Sequence, residues 1–448
     1  MREVLGALET GARERGGPLP AGGPDAVRAA WAGLLTPGAL LPDRGVPGAL
    51  GELTRALART AADPADPACA AHLHVPPLAV AVAADLAVNA LNPSLDSWDQ
   101  APGGVELEQA VVRTLTQLAG LPNGADGTFT TGGSESNLMG LLLARDRAEG
   151  TARRVVFCSD AAHFSVRRAC ALLGAEVRPV ESDRYGRMDP RLLDWALADC
   201  RDLPVCVVAT AGTTDLGAID PLDALADVAA RHRVPLHVDA AYGGGALFSR
   251  QLAPLLAGLG RADSVSLDLH KLGWQPVAAG VFLVRDRSAL QPLELHAAYL
   301  NPEADEEAGL TSLLGRSLRT TRRPDAFKVA VTLRTLGREG LGALVDHCHA
   351  LARHTAQRIS ESRDFELYTV PMLTTVVFRY GDSDEVNDAL RRRLLAEGTA
   401  VVGRTEIGGA VWLKLTLLNP QAGEADLDRL LERVRAAGAA AAAQNRHR

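Results

Sequence analysis

The chain has 448 residues, 47% of them hydrophobic and 23% charged, and 47 basic against 54 acidic side chains give a formal charge of −7. At roughly 150 residues per domain this length accommodates two or three lobes, and the composition excludes a disordered chain or a collagen-like fibre. The mildly acidic balance offers no basic stripe for a nucleic-acid backbone, so a small-molecule substrate is expected and a nucleic-acid partner is not.

The first residues scatter Glu3, Glu9, Arg13, Glu14 and Arg15 and lack the apolar core of a secretory signal, which points to the cytoplasm. The Pro-, Gly- and Ala-rich stretch 1–75 reads as an N-terminal arm of short helical runs that packs on another surface. The most apolar run, Leu78 to Leu91, carries Asp85 and Asn89 and is too short to cross a bilayer, so no membrane partner is expected. From Pro76 to Leu121 the pattern is helical, with Leu107, Ala110, Val111, Leu115 and Leu118 as expected core positions. Short apolar runs then alternate with helices: Arg153 to Cys158, Glu176 to Pro179, Val205 to Ala209, Leu236 to Asp239, Ser264 to Leu267 and Ala279 to Val284. Such runs suit strands covered on both faces in a parallel sheet, making 76–330 a large α/β domain. Residues 331–448 read as a small α+β domain: helical periodicity through Leu341 to Ile359, strands Thr374 to Tyr380 and Val411 to Thr416, and helices Ser383 to Glu397 and from Glu424. The closing Ala436 to Ala443 run is expected to fray. Six cysteines without a C-x-x-C pair read as reduced thiols, with neither disulfides nor zinc implied.

Three runs carry chemistry. Thr130 to Asn137 (TTGGSESN) places glycines before a helical Leu138 to Arg145, where free N–H groups and the positive helix end suit a phosphate; a plain helix cap fits as well. His237 to Gly244 (HVDAAYGG) puts Asp239 at the end of a buried strand, the place where open α/β sheets bind ligands. Ser264 to Trp274 (SVSLDLHKLGW) ends an apolar strand on His270 and Lys271, and a desolvated lysine is suited to imine formation, although a single lysine at a strand end often snorkels to solvent. His347, His349 and His354 do not share one helical face and read as surface residues, so no metal is expected.

With these runs, with His163 in DAAHFS, and with ATAGTT (209–214) followed by Gly217 and Asp220, the sequence resembles the pyridoxal-phosphate-dependent group II amino-acid decarboxylases. The resemblance implies an aspartate-aminotransferase-like fold of type I, with a mostly parallel seven-stranded sheet in the large domain. It also implies pyridoxal 5'-phosphate as cofactor and a homodimer with shared active sites. Lys271 matches the Schiff-base lysine, Asp239 the carboxylate partner of the pyridine nitrogen, and His163 the imidazole on the ring face. Thr214 and Ala241 match positions against the cofactor, while Ser134, the Gly133 backbone and His270 match the phosphate grip. His74 and Trp98 match the substrate entry region. Downstream, YLNP (299–302), SLRTTRR (317–323) and LKLTLLNP (413–420) are most like the L-2,4-diaminobutyrate branch, which implies α-decarboxylation of a small diamino acid to its amine.

Glutamate, aspartate, ornithine, lysine or an aromatic amino acid are the alternative substrates. The acidic Glu303 to Glu307 run would attract a cationic side chain, and a solvated loop explains it equally well. The sequence departs from the family where a catalytic-loop tyrosine is common: Leu314 stands there, residues 300–323 hold no tyrosine, and Pro324 replaces an aromatic residue. That departure keeps open decarboxylation coupled to oxidative deamination, with an aldehyde as product. A non-catalytic regulatory protein is the remote alternative.

Overall fold

In the computed structural model, residues 1–150, 152–294 and 297–446 are described. The chain divides into two compact units, one of residues 77–347 and one that combines 1–76 with 348–448.

The larger unit is built on a seven-stranded sheet in the order β1 (Asp126–Thr130), β7 (Gly280–Val284), β6 (Ser264–Asp268), β5 (Leu236–Ala240), β4 (Leu203–Thr210), β2 (Arg154–Ser159) and β3 (Glu176–Val180). β2 to β6 pair in parallel, whereas β7 is antiparallel to both neighbours. The expected mostly parallel α/β sheet is therefore present. β5, β6 and β7 are buried at every residue, because helices cover both faces and the strands carry near-continuous apolar sequence. The helix Gly133–Arg147 is buried almost all round. Leu141 and Ala144 join a cluster with Val156, Val166 and Val208, while Met139 and Leu143 pack with Phe282, Val284 and Leu290.

Helical periodicity over 76–121 resolves into two helices, Ala79–Leu91 and Pro102–Leu118. Asn92 ends the first in the left-handed conformation, and Pro93 follows it. The buried stripe of the second is Val105, Glu108, Val111, Val112 and Leu115; Ala110, expected in the core, is exposed. Ala326–Ser360 is one helical stretch kinked at Gly337 (φ 64°).

In the other unit, β8 (Phe365–Leu367), β9 (Thr375–Tyr380), β10 (Gly403–Ile407) and β11 (Ala410–Thr416) form an antiparallel sheet ordered β10, β11, β9, β8. The helices Asp384–Glu397 and Glu424–Asn445 pack with it around Val376, Leu390, Leu413 and Leu430. The alanine run expected to fray is helical instead. Ala437 and Ala441 fall one turn apart on the buried side of Glu424–Asn445, where alanine's high helix propensity and small volume suit close packing. The N-terminal segment packs on this unit's C-terminal part: Gly22 N donates to Ala396 O at 2.8 Å, and Ala70 N to Val401 O at 3.0 Å.

Candidate functional site

Parallel strands deliver several polar residues to one edge of the large sheet. Asp239 ends β5 one residue before its last position, Asp268 ends β6, and β1 runs in the same direction as β6 because both are antiparallel to β7. The registers set Thr130 and Asp268 on either side of Gly280. A Cβ on Gly280 would fall 2.4 Å from the Gly132 Cα, so only glycine lets the turn after β1 close over this point.

Below that turn a carboxylate meets a lysine. Lys271 Nζ lies 2.9 Å from Asp268 Oδ2, and His270 Nε2 lies 3.6 Å from the same oxygen. Asp268 is 2% exposed, and its Oδ1 has no hydrogen-bond partner. His270 Nδ1 accepts from Ala279 N at 3.2 Å, and burial holds its pKa below the usual histidine range. Lys271, expected at a strand end, is instead three residues past the carboxylate across a turn, with its side chain 21% exposed.

A second group centres on Asn137, from the first turns of the helix Gly133–Arg147. Its Nδ2 donates to Asp239 Oδ2 at 2.7 Å and to Ser165 Oγ at 2.9 Å. Its Oδ1 accepts from Ser266 Oγ at 2.7 Å and lies 2.9 Å from His237 Nε2, while His237 Nδ1 lies 2.8 Å from Ser264 Oγ. Ala241 N donates to the other Asp239 oxygen at 3.1 Å. His237 is fully enclosed, and burial drives its pKa down, so it is neutral near pH 7. The helix passes this close because Gly140 has no side chain; a Cβ there would fall 2.6 Å from His237 Nδ1.

His163 follows β2 and caps the helix Phe164–Leu173, its Nδ1 accepting from Ser165 N at 3.3 Å and lying 2.8 Å from Ser165 Oγ. Burial lowers its pKa, a shift that Asp239 opposes and Lys271 reinforces. Lys271, Asp239, His163 and His270 thus come together with Asp268, Asn137 and Ser165, which the sequence did not single out for a role. Ala241 lies against the glycine turn, where a Cβ on Gly133 would fall 2.8 Å from its own Cβ. Ser134 is exposed at the helix start, and Thr214 is exposed in the loop after β4. Asp220 fixes that loop: it accepts from Thr210 N and Met188 N at 2.7 Å each, and burial pushes its carboxyl up to about 6. Trp98 is half-buried between the helices Ala79–Leu91 and Pro102–Leu118, and His74 is exposed in the other unit. His349 Nδ1 pairs with Leu373 O at 2.8 Å and His354 Nε2 with Asp428 at 3.1 Å, so both rings have protein partners.

Residues 47–381 match the pyridoxal-dependent decarboxylase conserved domain. The chain belongs to this family. It is 44% identical over 406 residues to an L-2,4-diaminobutyrate decarboxylase of Rhizobium meliloti (strain 1021), covering 87% of this chain and 81% of the relative. An enzyme described by the same words from Acinetobacter baumannii is 36% identical, covering 81% and 78%. A solved structure from Vibrio parahaemolyticus, the glutamate decarboxylase domain of diaminobutyrate-pyruvate transaminase and L-2,4-diaminobutyrate decarboxylase, superposes with a TM-score of 0.85 at 35% identity, covering 98% of this chain and 94% of that one. The protein is a pyridoxal-phosphate-dependent amino-acid decarboxylase, as the motifs implied.

The residues present fit the family's cofactor. Gly133 brings the glycine turn close against Ala241 and Asp268, and the helix that follows starts without a side-chain cap on its N–H groups. Uncapped N–H groups at a helix's positive end suit a phosphate. A buried acceptor-only carboxylate, Asp239, oriented by Asn137 and Ala241, suits a protonated ring nitrogen. No helix among the described residues is long and apolar enough to cross a membrane.

Proposed function

We propose that this chain removes the α-carboxyl group of L-2,4-diaminobutyrate to give the corresponding diamine, acting as a cytoplasmic homodimer. The observation that carries the substrate is the 44% identity to a diaminobutyrate decarboxylase over 87% of the chain. When bound, pyridoxal phosphate supplies an electron sink for the pair left at Cα as CO2 departs.

Lys271 Nζ is the amine that would hold the cofactor covalently. Asp239 would keep a proton on the pyridine nitrogen, and its two oxygens are already oriented by Asn137 and Ala241 N, so little reorganisation is needed. Gly133 N, Ser134 and His270 would hold the phosphate, with Thr214 and Ala241 against the ring. His163 would cover the ring face, neutral near pH 7 because burial disfavours its charged form. His74 and Trp98 would contact the substrate.

Oxidative deamination to an aldehyde is the second reading, favoured by Leu314, which is buried where the family often carries a tyrosine. One assay separates the two. Purified protein with pyridoxal phosphate is incubated with 2,4-diaminobutyrate, ornithine, lysine, glutamate, aspartate and aromatic amino acids while CO2, amine and oxygen are followed. Stoichiometric CO2 and amine from diaminobutyrate, with no oxygen consumed, is the expected result. Oxygen uptake with ammonia release would establish the second reading, and preference for another amino acid would overturn the substrate.

A further inference from the structure

The hydrogen bonds around Asn137 have only one consistent direction. A carboxylate only accepts, so the Asn137 atom 2.7 Å from Asp239 Oδ2 is the amide nitrogen, and Oδ1 faces Ser266 and neutral His237. The second hydrogen of that nitrogen goes to Ser165 Oγ at 2.9 Å. Ser165 Oγ, accepting there, has one hydrogen left to give, and its neighbour at 2.8 Å is His163 Nδ1. The backbone N–H of Ser165 also points at Nδ1, from 3.3 Å. The backbone N–H can only donate, so Nδ1 is the acceptor and carries no proton, and the Ser165 hydroxyl then gives its hydrogen to the same nitrogen. His163 has its pKa lowered by burial and carries one proton near pH 7, which places that proton on Nε2.

We infer that Asn137 and Ser165 are positioning residues that transmit the charge of Asp239 to His163 and fix its Nε2–H tautomer, so that the imidazole meets an anionic oxygen of the bound amino acid as a hydrogen-bond donor. The inference rests on the proposed placement of His163 on the cofactor ring. Asn137 binds one side chain that would grip the ring nitrogen and, through Ser165, another that would cover its face. The sequence separations are 102 residues to Asp239 and 28 to Ser165. Ser165 is 2% exposed and its hydroxyl has no access to bulk water to choose another orientation. A neutral Nε2–H imidazole is a poor proton acceptor at that nitrogen. His163 therefore orients the carboxylate to be lost rather than taking a proton from substrate.

The test uses the pyridoxal-phosphate-loaded enzyme labelled with 15N at histidine, the His163 signals being assigned by their loss in His163→Gln. In the wild type near pH 7.5, Nδ1 is expected to resonate as a bare ring nitrogen and Nε2 as a protonated one. In Ser165→Ala the two nitrogens are expected to shift toward each other as tautomers mix. The visible absorbance and affinity of the cofactor should stay within about twofold, and kcat/KM should fall about tenfold, the order of one hydrogen bond. A proton on Nδ1 in the wild type, or unchanged His163 shifts in Ser165→Ala, would overturn the inference. Wild-type protein without cofactor absorbance would instead overturn the placement of the site on which it rests, so the two failures are distinguishable.

Discussion

His237 shows how a residue outside the reacting group carries stability as well as geometry. Its imidazole is 1% exposed and holds both Ser264 and Asn137. Replacing it in His237→Leu leaves a buried hydroxyl and part of an amide without partners, which costs about 2 kcal/mol near pH 7.5. The size of that loss depends on pH. Burial lowers the folded-state pKa from 6.5, so below pH 6.5 the unfolded wild type takes up a proton that the folded wild type refuses. Wild-type stability therefore falls with pH in that window, by up to about 1.4 kcal/mol per pH unit, whereas the variant has no such group. Urea unfolding at pH 7.5, 6.5 and 5.5 should show the gap between the two proteins narrowing as pH falls. A constant gap would mean that His237 takes up its proton in the fold at the same pH as in the unfolded chain.

At the next scale, the helix Gly133–Arg147 carries the glycine turn at its start, Asn137 one turn in and Gly140 where it crosses His237. Gly140→Ala places a Cβ 2.6 Å from a ring held by two hydrogen bonds, so the helix must move outward. Overpacking of this kind costs about 1 to 3 kcal/mol. Because the same helix begins at the glycine turn, calorimetry should show a lowered Tm and cofactor titration a weakened affinity in the same variant. The segment after Leu314 is held differently, by three arginines at three-residue spacing: Arg316 to Asp126, Arg319 Nε to Glu135 at 2.9 Å, and buried Arg322 to Glu108 at 2.9 Å. Arg319 is the partly exposed member, and Glu135 also accepts from Thr131 N at 2.6 Å within the glycine turn. Arg319→Met should therefore change stability by less than about 1 kcal/mol yet weaken pyridoxal phosphate binding several-fold, read by titration of the cofactor-free protein.

Much of this arrangement was legible beforehand because its signals are local. Six of the seven strands of the large sheet show as apolar runs, and their ends fall within two residues of the observed ones. β1 does not, since Asp126–Thr130 holds a glycine and only one large apolar residue and gains its burial from β7 and the helix Pro102–Leu118. Lys271, Asp239 and His163 stand in motifs, whereas nothing in the sequence marks Asp268 inside the run that holds Lys271, because an ion pair across a turn has no spacing rule. The links from Asn137 to Ser165 and His237 span 28 and 100 residues and exist only once the sheet is assembled.

For the whole molecule, assembly turns on the N-terminal helices. Arg2–Arg15 and Ala49–Thr60 pack on each other, tied by Arg55 to Glu14 and by Gly51 N donating to Glu3 at 3.1 Å. Their shared packing nevertheless leaves Leu5, Leu8, Leu50, Leu53 and Leu57 exposed. Leu50, Leu53 and Leu57 recur at helical spacing on one face, an arrangement that scattered surface leucines do not produce and that marks an interaction surface. A second copy of the chain is the occupant that the proposed homodimer supplies. In Leu53→Glu with Leu57→Glu, two carboxylates would have to be desolvated at that interface, while neither side chain is needed for the fold of its own unit, being exposed there. Sedimentation equilibrium should give a dimer of 94.2 kDa for the wild type, twice the 47.1 kDa chain, and a monomer for the double variant with unchanged circular dichroism. A double variant that remains dimeric would move the interface elsewhere on the chain.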